Sequence, residues 1–123
     1  MKVALSYDDV LLVPQNSEIE SRSTVDIGSD LDTDIRLGLP IIASPMDTVS
    51  EAAMAIAMAE AGGLAIIHRY NTIREQEQLV EQVRMARGIE NTLVGAAVGV
   101  SEDFLERAAA TIDAGALVIC VDV

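Results

Sequence analysis

At 123 residues, half of them apolar, the chain can bury one hydrophobic core and is too short for two ordinary domains. Its formal charge of −12, with Lys2 as the single lysine, opposes association with nucleic-acid backbones or an anionic membrane surface. A single cysteine, Cys120, excludes a disulfide framework or a thiolate metal cluster within the chain.

Residues 1–38 are acid-rich and irregular in pattern, and MKVALSYDDVLL carries no long apolar stretch ahead of its acidic pair, unlike a signal peptide. The apolar run 41–44 then reads as a buried strand. Ser50 is placed to cap an Ala/Met-rich helix over residues 51–61, which Gly62-Gly63 ends. Residues 64–68 form a second strand. Thr72-Ile73-Arg74-Glu75 fits a capping box, and Ile73, Leu79, Val80 and Val83 give an apolar stripe to Arg87 before Gly88 stops the helix. A third strand follows over 93–98. Ser101, Glu102 and Asp103 open a third helix in which Phe104, Leu105, Ala108, Ala109 and Ile112 share a face. Gly115 ends it, and residues 117–121 form a fourth strand holding Cys120, which reads as a buried structural thiol.

Continuous apolar strands alternating with helices predict an α/β fold with parallel strands covered by helices. Two architectures satisfy the pattern, an open doubly wound sheet and part of a (β/α)8 barrel. Gly95-Ala-Ala-Val-Gly99 matches neither G-x-G-x-x-G nor Walker spacing, so no phosphate cradle is named. A full barrel needs four more strands and roughly 250 residues. No run reaches the roughly 18 apolar residues of a membrane span, so a cytoplasmic location is expected by default. A surface so acidic and lysine-poor also fits adaptation to high salt, where screening relieves self-repulsion.

Polar residues stand where the strands run out. Ser44 can donate from its hydroxyl or cap a loop, and Met46 is a flexible apolar contact or a core residue. Asp47 and Thr48 fit a helix-entry turn. His68, the one histidine, reads as a satisfied strand-end residue ahead of an acid or base, and Asp122 as a sugar-hydroxyl acceptor or a turn cap.

Five segments, in order, resemble the IMP dehydrogenase / GMP reductase family. They are LSYDDVLLVP (5–14), SRSTVD (21–26), ASPMDTVSEAAMAIAMAEAGGLAIIHRYN (43–71), LVGAAVGV (93–100) and ALVICVDV (116–123). The resemblance implies the first half of a TIM (β/α)8 barrel: residues 1–38 as an irregular N-terminal extension, and residues 39–123 as four strands and three helices of a single incomplete domain. It also implies a cytoplasmic, usually tetrameric oxidoreductase acting on a purine nucleoside monophosphate with NAD or NADP. In the family a cysteine thiolate on a glycine-rich loop attacks the purine. Cys120 lies in a strand and does not match it, so no catalytic residue is assigned to this chain, and no metal ligands are.

The same resemblance carries binding roles to particular residues. Ser44 and Met46 match substrate-contacting positions. Ser21 and Arg22, Arg69, Asp122 and Val123 match positions on the cofactor side, an arginine fork suiting phosphate oxygens. Dehydrogenases of the family usually carry a pair of CBS modules between the second helix and the third strand, whereas Arg87-Gly88-Ile89-Glu90-Asn91 joins them directly here. That link, Ser21-Arg22 and ICVDV tip the reading toward NADPH-dependent GMP reductase (GMP to IMP). PMDTVSEAAMAIAMAEAGG is closer to IMP dehydrogenase (IMP to XMP with NAD), which stays as the alternative. A reading of another class also stands: a non-catalytic half barrel that pairs with its own copy or with a separate C-terminal half, because its sheet edges lack neighbours.

Overall fold

A computed structural model describes residues 2–86, 92–101 and 103–123. The helix stop expected at Gly88, the link 87–91 and the helix-opening Glu102 lie outside the described residues.

The N-terminal extension carries two short 3-10 turns, Tyr7–Asp9 and Arg22–Thr24, and its end forms a hairpin of β1 (Ser29–Asp32) and β2 (Ile35–Leu37). Sequence pattern alone left this stretch irregular, since a register shift between Asp30 and Asp32 breaks the two-residue alternation that marks a strand. Arg36 ties the hairpin to what precedes it, donating to Asp30 at 2.7 Å and Asp26 at 2.5 Å. The Gly28 backbone N–H and then the Arg36 charge hold the Asp26 carboxyl below its ordinary range. Leu37, at the end of β2, is buried.

Beyond the hairpin the chain alternates: β3 (Ile42–Ala43), α1 (Ala52–Glu60), β4 (Leu64–Ile67), α2 (Ile73–Arg84), β5 (Gly95–Val98), α3 (Phe104–Asp113) and β6 (Val118–Val121). The four strands lie side by side in chain order and all pair in parallel. That order decides between the two architectures. A doubly wound sheet reverses direction and puts helices on both faces, whereas strands added always on one side, with right-handed crossovers, keep every helix on the same face.

Packing agrees with this topology. One face of the sheet, through Ala65, Ile67 and Ala96, packs with Ala52 and Ala55 of α1 and Val80 and Val83 of α2. The other face gathers Leu64, Ile66 and Ala97 with Leu37 of the hairpin, Leu93, Val118 and Cys120, and includes no helix residue. The chain is therefore an arc of a (β/α) barrel, its helices outside and its inner face turned toward the axis. Cys120, expected to be buried, is half-buried on that inner face, where no helix residue among those described joins the cluster.

Helix ends follow local rules. α1 and α3 both close in Schellman motifs: Gly62 (φ +82°) donates to the Ala59 carbonyl and Gly63 to that of Met58, and Gly115 (φ +109°) donates to Ile112 and Ala116 to Thr111. α2 opens with the expected capping box. The Thr72 N–H and hydroxyl each donate to Glu75 Oε2 at 2.8 Å, and the Glu75 N–H donates back at 3.2 Å. Those two bonds, the backbone one foremost, hold the Glu75 carboxyl below its ordinary 4.5. A carboxyl depressed in the folded state stabilises above its unfolded value and loses that contribution as pH falls through the folded one. A Glu75→Gln variant is therefore expected to show a shallower fall in Tm below about pH 4.5, measured by thermal melts across an acid series.

Two expectations are corrected. Ser50 does not cap α1: the N-cap is Glu51, with no side-chain cap bond, and the Ser50 hydroxyl donates to the Ser44 carbonyl instead. The apolar stripe on α3 is not its buried face. Phe104, Leu105 and Ile112 are exposed, Leu105 to 70%, while Arg107 and Thr111 are buried. Hydrogen-bond acceptors on neighbouring elements draw Arg107 inward, as described next.

Candidate functional site at the strand ends

In parallel α/β folds ligands sit where strands run out at their C-terminal ends, because the loops there diverge and leave side chains converging on a common space. Four segments qualify here: residues 44–50 after β3, 68–71 after β4, 99–101 after β5, and 122–123 after β6.

The first loop is tightly held. The Met46 carbonyl accepts from the Val49 N–H at 3.2 Å and the Ser50 N–H at 2.9 Å, and Thr48 sits at φ +59°, a left-handed conformation unusual for a β-branched residue. Ser44 and Met46 face solvent, Met46 to 56%. Beneath them, Ser50 and His68 are buried. The His68 backbone N–H donates to the Ser50 carbonyl at 3.3 Å, and the Tyr70 N–H donates to His68 Nδ1 at 3.2 Å. With Nδ1 accepting, Nε2 is the nitrogen facing Glu51 Oε1, at 3.4 Å.

Arg69 and Asp122 were each expected on the cofactor side; the fold brings them together. Arg69 Nε lies 3.6 Å from Asp122 Oδ2, across the end of β5. The guanidinium passes over Gly99, where a Cβ would lie in ordinary contact, 3.5 Å from Arg69 Nη1. The guanidinium also lies 5.5 Å from the Tyr70 ring centre, within cation–π range. Arg69 Nε is buried and makes no hydrogen bond among the described residues, Asp122 standing beyond hydrogen-bond distance as its ion-pair partner.

Val123 is exposed beside Asp122. Ser21 and Arg22 belong to the second 3-10 turn, where the Ser23 N–H donates to the Ser21 hydroxyl oxygen at 3.3 Å. Among the described residues no hydrogen bond or ion pair joins either of them to the strand-end residues.

Behind the mouth lies a buried polar network that residue patterns did not reveal. Gln76 of α2 donates from Nε2 to the Ile67 carbonyl at 3.2 Å and the Ala97 carbonyl at 2.9 Å, linking β4 to β5 where they diverge. Its Oε1 accepts from Arg107 Nη1 at 3.0 Å. Arg107 also donates to the Asn71 carbonyl at 3.1 Å, to Asn71 Oδ1 at 3.3 Å, and to Asp103 Oδ2 from Nε and Nη2. The one available signal was an arginine four residues after an aspartate in a helix, and many surface pairs share that spacing.

Away from the mouth, a concavity of about 690 Å³ opens at the other end of the strands, between the hairpin and Gly62-Gly63, with Arg84 on its wall. Conserving structure is the ordinary business of that end of a (β/α) arc. Among the described residues no three His, Cys, Asp or Glu side chains are placed to share a metal ion, and no helix is long and apolar enough to cross a membrane.

Residues 4–123 match the model of the IMP dehydrogenase / GMP reductase domain. The chain belongs to the IMP dehydrogenase / GMP reductase family. It is 47% identical over 88 residues to the inosine-5'-monophosphate dehydrogenase of Nitrosopumilus maritimus, covering 72% of this chain and 18% of that protein. The inosine-5'-monophosphate dehydrogenase of Bacillus subtilis is 48% identical over 89 residues, with the same two coverages, 72% and 18%. The GMP reductase of Leishmania donovani is 47% identical over 83 residues, covering 68% of this chain and 17% of its own. The chain thus spans less than a fifth of these relatives' length, and both enzyme names occur among family members matched at nearly equal identity.

Proposed function

We propose that the chain is the nucleotide-binding half of a purine nucleotide oxidoreductase, a single incomplete barrel domain without CBS modules. The observation that carries this reading is the pairing of Arg69 and Asp122 over Gly99, on the same rim as the exposed Ser44 and Met46. Ser44 offers a hydroxyl to ribose or phosphate oxygens, and Met46 a polarisable apolar surface to a purine ring. The substrate class is a purine nucleoside monophosphate, as the names of the relatives support.

A nicotinamide dinucleotide supplies hydride donation or acceptance when bound. The Arg69 guanidinium suits an acceptor on such a cofactor, and the Asp122 carboxylate suits its sugar hydroxyls or amide hydrogens. Arg22, Ser21 and Val123 complete the cofactor side. The direct link at 87–91, Ser21-Arg22 and ICVDV favour NADPH and reduction of GMP; oxidation of IMP with NAD is the alternative reading. No residue of this chain is given the nucleophile's part.

Titration calorimetry with IMP, GMP, NAD and NADPH tests the assignment. Nucleoside monophosphate binding is expected, weakened about tenfold or more by Ser44→Ala with Met46→Ala, while Arg69→Gln weakens the dinucleotide alone. No turnover is expected from the chain by itself. Turnover in either direction would overturn the placing of the nucleophile elsewhere.

The unpaired outer edges of β3 and β6 favour a second reading, in which the chain is a non-catalytic assembly module covering its inner face with another copy or a separate half barrel. Sedimentation velocity separates the two, since an entirely monomeric chain at high concentration rules out self-assembly.

A further inference from the structure

The loop that carries Ser44 and Met46 contains its own support, and we infer that Ser50 and His68 are positioning residues that fix this loop in its nucleotide-receiving form. The inference rests on reading Ser44 and Met46 as nucleotide contacts and goes beyond it by naming what holds them.

Ser50 and His68 are 1% and 3% exposed, directly under a loop whose other residues, Pro45 apart, are exposed. Ser50 is bonded in three directions. Its hydroxyl donates to the Ser44 carbonyl, its N–H donates to the Met46 carbonyl, and its own carbonyl accepts from His68. These bonds span the whole loop and close it around Thr48, whose left-handed backbone persists only where its surroundings impose it. The backbone N–H of His68 anchors Ser50 to the end of β4, while its ring accepts from the Tyr70 N–H on one nitrogen and faces Glu51, the residue after Ser50, with the other. Asp47, on the loop itself, lies 3.9 Å from the same Nε2.

A helix cap would have used the Ser50 hydroxyl to stabilise α1. It is spent on the loop instead, and α1 starts without a side-chain cap. The arrangement keeps two exposed contact residues in one geometry before any ligand arrives, so binding does not bear the entropy of ordering them.

The test compares Ser50→Ala with Ser50→Thr, which restores a hydroxyl, using amide hydrogen exchange and IMP and GMP titrations on the whole chain. In Ser50→Ala the amides of residues 46–50 are expected to exchange about tenfold faster with those of β4 and β5 unchanged, and nucleotide affinity to fall about tenfold; Ser50→Thr recovers both. His68→Gln leaves the Ser50 hydroxyl and the backbone N–H of residue 68 in place and removes only the ring between Tyr70 and Glu51, so it is expected to loosen the same amides less than Ser50→Ala does. Unchanged exchange in Ser50→Ala overturns the support itself, and unchanged exchange in His68→Gln overturns the part given to the ring, with or without a ligand. Faster exchange with unaltered affinity overturns the positioning role. If the unmodified chain binds neither nucleotide while the exchange change is seen, the reading of Ser44 and Met46 falls, and the positioning role with it, whereas the mechanical support stands.

Discussion

Replacing Arg107 by methionine is expected to destabilise the chain by about 3 kcal/mol, a drop in Tm on the order of 10 °C. Methionine is shorter but replaces the apolar stem of the arginine, so the packing of that stem is largely kept. What disappears is the guanidinium that satisfies Gln76 Oε1, the Asn71 carbonyl and Asn71 Oδ1 together. Breaking a buried charged network by removing one partner typically costs about 3–5 kcal/mol, and the lower end applies because Asp103 is half exposed and can turn to water. Arg107→Lys keeps the charge but cannot reach three acceptors in one plane, and is expected to recover less than half of the loss. Gln76→Leu, which strands the Ile67 and Ala97 carbonyls, is expected to cost about 1–3 kcal/mol. The double variant should cost less than the sum, because both deletions break the same Gln76–Arg107 bond. Urea melts of the four proteins provide the cycle.

Gly95→Ala is expected to cost about 1–3 kcal/mol, although a Gly-to-Ala change in a strand ordinarily helps. Gly95 lies in β5 opposite Ile66 of β4 and Val118 of β6, and the two neighbours close over the space a side chain would take. A Cβ there overlaps Ile66 Cδ1 and lies 3.1 Å from the Val118 carbonyl oxygen. The first clash can be removed without touching the backbone. Ile66→Val deletes the Cδ1 methyl and alone costs about 0.5–1.5 kcal/mol, but combined with Gly95→Ala it should restore most of the lost stability. A loss in the pair equal to the sum of the two single losses would show that the ladder, not the methyl, resists the new side chain.

These two sites also mark what was legible in the residues and what was not. The helix stops at Gly62 and Gly115 and the Thr72–Glu75 box could be read because each is closed by residues a few positions apart. The buried side of α3 could not. Its apolar stripe is a sound helical pattern, yet the acceptors that pull Arg107 inward lie 31 and 36 residues away in the chain. Ser50 shows the same conflict at short range, where a carbonyl six residues back outcompetes the helix end. The hairpin was hidden by its register shift, and with it the burial of Leu37.

At the candidate site, the residue types were readable and their association was not. Arg69 and Asp122 carry suitable chemistry separately, and resemblance placed both on the cofactor side. Only the side-by-side order of β4, β5 and β6 makes them an ion pair. His68 looked like a strand-end residue and does lie just beyond β4. Its hold on Ser50 depends on where the loop after β3 returns, which no local pattern encodes.

Strand order equal to chain order also bears on how the chain reaches this state. Partners across the sheet are separated by 22 residues from Ile42 to Leu64, 29 from Ile66 to Gly95 and 23 from Gly95 to Val118. No paired strands wait for a distant segment, so each loop closure costs about the same and each new strand finds its neighbour already made. Growth from the amino end, one strand–helix unit at a time, suits a chain that leaves the ribosome in that direction.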